Sequence, residues 1–257
     1  MEIKKTPLIV AITGKGGVGK TLITTLIAKA ISTFYKYKLL LIDADPTHPH
    51  LSKMVGLVSE KSLEKIRANV INNSMGKGAD TQKIAENIDF EVYNAIKEGK
   101  DFSLLSIGQP EGPGCFCPSN LLLRKVIESI STDFDLVLID CEAGLEQINR
   151  MVIQSVDIVL IVSDISLRSI ETANSIKKSA QRYSNYKKIG VIINRVKDNI
   201  TIILNKLKGY DLPLLALIPE DELITKFDLE GKALISIPRD AISFKKVSEY
   251  LEKLLEI

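Results

Sequence analysis

Pro7-Leu8-Ile9-Val10-Ala11-Ile12-Thr13 runs directly into Gly14-Lys15-Gly16-Gly17-Val18-Gly19-Lys20-Thr21, and Leu22, Leu26 and Ile27 then recur at helical spacing. A continuous apolar run of strand length, a glycine-rich loop and an amphipathic helix follow one another, the order in which a P-loop is built. The spacing Gly14-x-x-x-x-Gly19-Lys20-Thr21 satisfies that pattern. Glycines at 14, 16, 17 and 19, with Val18 between them, let successive backbone N–H groups turn inward around a phosphate chain, and the helix N-terminus adds its partial positive charge. Lys20 would reach the β and γ oxygens and Thr21 would offer its hydroxyl to Mg²⁺, with Leu22 closing the phosphate-binding set in the first helical turn.

Outward from this loop the same alternation continues. Apolar runs at 39–42, 102–107, 136–139, 158–162, 189–193 and 214–218 read as strands. They are apolar throughout rather than alternating, as parallel strands covered on both faces are. Helical stretches are expected at 21–35, 119–131, 145–154, 168–183, 199–208 and 241–256. The chain thus reads as one domain over 1–257, a doubly wound α/β fold whose mostly parallel sheet is flanked by helices. Residues 59–100, with weak periodicity and Asn72-Asn73-Ser74-Met75-Gly76-Lys77-Gly78 among them, read as helices and loops inserted at an edge.

The composition narrows the functional classes. In 257 residues, 34 Lys and Arg face 32 Asp and Glu, so the basic footprint of a nucleic-acid binder is missing and nucleic acid is not an expected partner. The opening apolar run is too short for a membrane span, and no signal peptide is apparent, so a reducing cytoplasm is the expected compartment. Cys115, Cys117 and Cys141 are the whole stock of thiols, which excludes a disulfide scaffold.

Acidic residues close two further strands. Asp140, after Leu136–Ile139, fits a carboxylate that holds Mg²⁺ through water. Asp43 and Asp45 end the second strand, where an Asp also commonly caps the next helix.

Lys15, directly after the first glycine, sets the loop apart from an ordinary P-loop. Here the sequence resembles the deviant Walker A ATPases, which include MinD, ParA, the nitrogenase iron protein and the arsenite and tail-anchored-protein ATPases. The resemblance implies ATP hydrolysis by a homodimer in which Lys15 reaches across to the partner's nucleotide. A cation so delivered offsets charge on the transferred phosphoryl group, as an arginine finger does. The resemblance also implies that Asp45 orients the attacking water, with Asp43 a metal or switch residue. It further points to Asn194, followed by Arg195, and to Pro219, Glu220 and Asp221 as the positions that hold adenine.

Gly112-Pro113-Gly114-Cys115-Phe116-Cys117-Pro118 is the most discriminating stretch. Two cysteines at i and i+2 in a turn could offer two thiolates to one soft or borderline metal, yet two ligands leave a tetrahedral site open. A symmetric dimer would supply four sulfurs, suiting Ni²⁺ or Zn²⁺ and, less simply, an iron–sulfur cluster. Inert loop cysteines and a redox disulfide are the competing readings. With Glu142-Ala143-Gly144-Leu145-Glu146 and Val162-Ser163-Asp164, the pair also resembles CooC-type ATPases, accessory proteins for nickel insertion into carbon monoxide dehydrogenase. That likeness implies a metal site at the dimer interface from Cys115 and Cys117, and carbon monoxide dehydrogenase or a related metalloenzyme as client. Cys141 reads as a small buried hydrophobe, and His48 and His50 as scaffolding of a rigid loop beside the phosphates rather than ligands.

Two other functions compete with the metallochaperone reading. A positioning or partitioning switch like MinD or ParA needs a membrane or DNA surface, but the C-terminal helix, with Val247, Leu251 and Leu254 among both lysines and glutamates, reads as docked on the core. An electron-donating ATPase like the nitrogenase iron protein bridges its dimer with cysteines from separated loops, not from an adjacent pair.

Overall fold

Strand β1 (Leu8–Gly14) lies at the centre of the sheet, paired in parallel with β5 (Leu136–Cys141) on one side and β6 (Ile158–Ser163) on the other. The computed structural model describes residues 6–45, 50–58, 61–66, 90–108, 130–141, 156–183, 185–197 and 200–255. Among these, β2 (Leu39–Ala44), β3 (Lys97–Glu98), β4 (Ser103–Ser106), β7 (Lys188–Val196) and β8 (Leu214–Pro219) complete an eight-stranded sheet in the order β3-β4-β2-β5-β1-β6-β7-β8. All pairs are parallel except β3 with β4.

The apolar strands are apolar because both faces are covered. Successive side chains point to opposite faces. Ile9 and Ala11 therefore join one core with Val137, Ile139, Val159 and Ile161, while Val10 and Ile12 join the other with Leu138 and Leu160. Helix α1 (Lys20–Phe34) and helix α6 (Ile242–Leu255) close the second core, α1 through Ile23, Leu26, Ile27 and Ile31. Helix α3 (Leu167–Tyr183) and helix α4 (Thr201–Gly209) close the first through Ile170, Ala173, Ile176, Ile203 and Leu207. In α6 the residues Phe244, Val247, Leu251, Leu254 and Leu255 are all buried, so its apolar face is spent on the core. Among the described residues no helix is long and apolar enough to cross a membrane.

Three features depart from the sequence reading. Residues 59–100 contain, besides helical stretches at 63–66 and 90–95, the antiparallel edge strand β3, which two exposed residues form and no periodicity announces. Leu63, Ile66, Val92 and Ala95 of this segment are buried in the same core as α3, so these described parts are integral to the domain. The short helix α2 (Leu51–Val55) and the helix α5 (Glu222–Leu229) were not expected. The expected helices over 119–131 and 145–154 lie, all but the end of the first, outside the described residues.

Candidate functional site

The chain order reverses direction across β1, with β2 and β5 on one side and β6 to β8 on the other. A crevice at the carboxyl ends of the strands, at that switch point, is where open α/β sheets bind ligands. A cleft of about 760 Å³ opens there, lined by Gly16, Gly17, Gly19, Lys20 and Thr21 of the loop and by Asp45 and Asp140 from the neighbouring strand ends. Asn194, Arg195, Pro219, Glu220 and Asp221 line the same cleft from the other side. Val18 and Leu22 are buried in the core beneath the loop, and Leu22 also lines the cleft. Lys15 is half-buried, and its carbonyl accepts a hydrogen bond from Lys20 Nζ at 3.3 Å.

Two glycines are fixed by their neighbours. Gly14 has φ 148°, and a Cβ there would lie 2.1 Å from the Val162 carbonyl oxygen of β6. Gly19 caps α1 in the left-handed region at φ 92°, and its Cβ would lie 2.5 Å from Nδ2 of Asn194.

The strand register sets the acidic side of the cleft. Asp43 stands opposite Asp140, which in turn stands opposite Ile12. Thr24 donates to Asp140 Oδ1 at 3.3 Å. Both carboxylates are buried, at 1% and 3% exposure. Burial pushes Asp43 up to about 7, with the Asp140 charge adding to the rise. Burial likewise pushes Asp140 up to about 6, against the hydroxyls of Thr21 and Thr24 and the Lys20 charge. Asp140, buried beside the Thr21 and Thr24 hydroxyls at the foot of the phosphate loop, offers the hard oxygen donors that suit a hard cation, so Thr21 and Asp140 fit Mg²⁺. Asp43, expected as a metal or switch residue, makes two backbone contacts. Its Oδ1 accepts from the backbone N–H of Asp45 at 3.3 Å and its Oδ2 from that of Leu51 at 3.1 Å. It therefore holds both ends of the loop that joins β2 to α2. His50 lines the cleft, while His48 lies outside the described residues.

A pH dependence follows. Both groups have folded-state pKa values above that of an unfolded aspartate. The native state therefore keeps protons that the unfolded chain has already released, and stability falls as pH rises. The contribution is fully present below the unfolded value and gone above about 7. The ligand-free chain should lose on the order of 4 kcal/mol of denaturant stability between about pH 5 and about pH 7.5, most of it through Asp43. Asp43→Asn should flatten the curve, and an unchanged slope would show that these carboxylates do not carry it.

On the far wall, Asp221 does not offer its carboxylate to a ligand. Oδ1 caps α5 by accepting from the Leu223 N–H at 3.0 Å, and Oδ2 accepts from the N–H and hydroxyl of Ser243 at 2.9 and 2.7 Å. Burial alone would raise its pKa, but donors from Ser243, Leu223 and Ile242 outweigh it and hold the group below the usual carboxylate range. Glu220 is ion-paired with Lys197. What Pro219–Asp221 leaves for a base is backbone. Helix α5 supplies an apolar wall, Ile224 and Phe227, that sequence reasoning missed. The signal was present in Asp221 as an N-cap ahead of Leu223, Ile224 and Phe227. Asn194 Nδ2 donates to the Val18 carbonyl at 2.9 Å, and Arg195 Nη1 to the Gly17 carbonyl at 3.2 Å, so both side chains turn toward the phosphate loop.

Cys141 is buried and its thiol is pushed up to about 12 by burial and by the Asp140 charge, the state of an inert hydrophobe. Cys115, Cys117 and the Glu142–Glu146 stretch lie outside the described residues. Among the described residues, no group of three or more His, Cys, Asp or Glu side chains could hold a metal ion.

A family model described as the CobQ/CobB/MinD/ParA nucleotide binding domain matches residues 9–235. An uncharacterised ATP-binding protein of Methanocaldococcus jannaschii is 35% identical over 253 residues, covering 96% of this chain and 98% of that protein. The carbon monoxide dehydrogenase accessory protein CooC of Rhodospirillum rubrum is 31% identical over 236 residues, covering 86% and 87%. The septum site-determining protein MinD of Pyrococcus horikoshii, solved with Mg-ADP, superposes with a TM-score of 0.71 at 22% identity, covering 96% of this chain and 95% of that one. That likeness speaks to fold.

Proposed function

We propose, from the premise that this chain belongs to the CobQ/CobB/MinD/ParA nucleotide-binding family and is an ATPase, that it works as a homodimeric metallochaperone. Its cargo would be Ni²⁺ or Zn²⁺, and its client a metalloenzyme of the carbon monoxide dehydrogenase kind. The observation that carries the reading is the Cys115-Phe116-Cys117 pair in a chain 31% identical to a carbon monoxide dehydrogenase accessory protein over nearly all of both lengths.

In this reading the loop amides of residues 15–21 bind the phosphates and Lys20 neutralises the β and γ oxygens. Thr21 and Asp140 hold Mg²⁺, which when bound supplies charge neutralisation at the transferred group. Asp45 orients the attacking water, and Lys15 of each protomer serves the nucleotide of the other. Dimer closure brings two cysteine pairs together, so metal and ATP favour the same closed state and each tightens the other by linkage.

Elemental analysis of the purified chain with ATP, beside its size on chromatography, tests the site. The natural chain should carry one Ni²⁺ or Zn²⁺ per dimer, and the Cys115→Ser/Cys117→Ser double variant none. A double variant that keeps its metal would remove the site. Brown colour with visible absorption would favour a cluster, and ATP-dependent sedimentation with liposomes or DNA would favour a positioning switch.

A further inference from the structure

The register between β7 and β8 slips where the cleft begins. Ile193 pairs with Leu217 and Val196 with Pro219, so β7 spends three steps where β8 spends two. The extra residue is a β-bulge at Asn194–Arg195, and Arg195 sits in the left-handed region at φ 57°, which non-glycine residues seldom adopt. Bulges bend a strand and re-aim its side chains, and strained backbone persists where its surroundings hold it for a purpose. Here two consecutive side chains are aimed at two consecutive peptide groups of the loop, Asn194 at the Val18 carbonyl and Arg195 at the Gly17 carbonyl.

Peptide geometry makes that aim consequential. In a planar trans peptide the C=O and the following N–H point in opposite directions. Holding the Gly17 and Val18 carbonyls toward β7 therefore turns the N–H groups of Val18 and Gly19 away from β7. These are two of the donors that a phosphate chain needs at this loop. Asn194 is 2% exposed, and its amide fits against Gly19 with no room for a Cβ, so the contact is built into the packing.

We propose that Asn194 and Arg195 are positioning residues for the phosphate loop: the β7 bulge presets the loop's amides for the triphosphate, independently of the base. This rests on ATP binding at the P-loop and not on the cysteine site. It differs from an adenine contact in one measurable way, because a preset loop serves any polyphosphate. Calorimetric titration of the full chain with Mg-ATP and with Mg-tripolyphosphate separates the two. Asn194→Ala should weaken both ligands by the same factor, about tenfold, as loss of one buried hydrogen bond predicts. Arg195→Gly keeps the positive φ without strain and removes only an exposed guanidinium. It should weaken both by about twofold to threefold, and it carries the test if Asn194→Ala fails to fold. For either variant, weakened ATP beside unchanged tripolyphosphate would overturn the proposal in favour of a base contact. Unchanged affinity for both ligands would overturn it outright. A natural chain that bound neither would instead remove the nucleotide reading beneath it.

Discussion

Lys15→Ala is expected to bind ATP within about threefold of the natural chain and to hydrolyse it about a thousandfold more slowly, the range removed with an arginine-finger cation. Lys20 lines the cleft together with Gly16, Gly17, Gly19 and Thr21, whereas Lys15 is not among the residues that line it. The Lys15 contribution to its own loop is its backbone carbonyl, which accepts from Lys20 Nζ. A substitution that spares the backbone should thus spare binding. Complementation isolates the trans role. A protomer with Lys15→Ala keeps Asp45, and a protomer with Asp45→Ala keeps Lys15. An equal mixture should therefore recover roughly a quarter of the natural rate, from the one complete site in each heterodimer. A lysine acting on its own nucleotide would leave the mixture inactive, because neither chain then holds both residues. Hydrolysis unchanged in Lys15→Ala would remove the catalytic claim altogether.

The parts of the fold legible in the sequence were those set by local pattern. Leu136–Ile139 and Ile158–Val162 read as strands because both faces are buried, and buried faces leave no polar interruptions. Helix α5 was missed because none of its residues is fully buried, and Ile224 and Phe227 face the cleft rather than a core, which weakens the periodic signal. The two residues of β3 take their strand character from β4 beside them, a tertiary fact. At the site, Gly14–Thr21, Asp45 and Asp140 converge where the motif indicated, since strand ends inherit their position from the sheet. The long-range backbone partners of Asp43, Asp221 and Asn194 were not legible. Each depends on which backbone N–H or carbonyl a distant segment brings within reach: Leu51 for Asp43, Ser243 for Asp221, Val18 for Asn194. Sequence spacing carries no trace of those meetings.

Gly14 joins the two kinds of information, because the motif requires it and the sheet explains why. Gly14→Ala would bring a Cβ to 2.1 Å from the Val162 carbonyl oxygen, 3.1 Å from its carbon and 3.3 Å from its nitrogen. All three atoms belong to backbone, so no rotamer change relieves the clash. Val162 is itself 1% exposed and fixed in the core. Relief requires β1 and β6 to part at their carboxyl ends, in the middle of the sheet, and φ 148° adds strain for any L side chain. The expected cost exceeds about 4 kcal/mol, enough to unfold a domain of ordinary stability. Whatever fraction folds should no longer bind ATP, since the end of β1 sets where the phosphate loop begins. Gly209→Ala is the matched control, with nothing within 4 Å of the new methyl group. It should fold as the natural chain does, within about 1 kcal/mol. Urea midpoints and ATP titrations of the two variants decide the matter. A Gly14→Ala chain as stable as the Gly209→Ala control would mean that the β1–β6 contact yields more easily than its geometry implies.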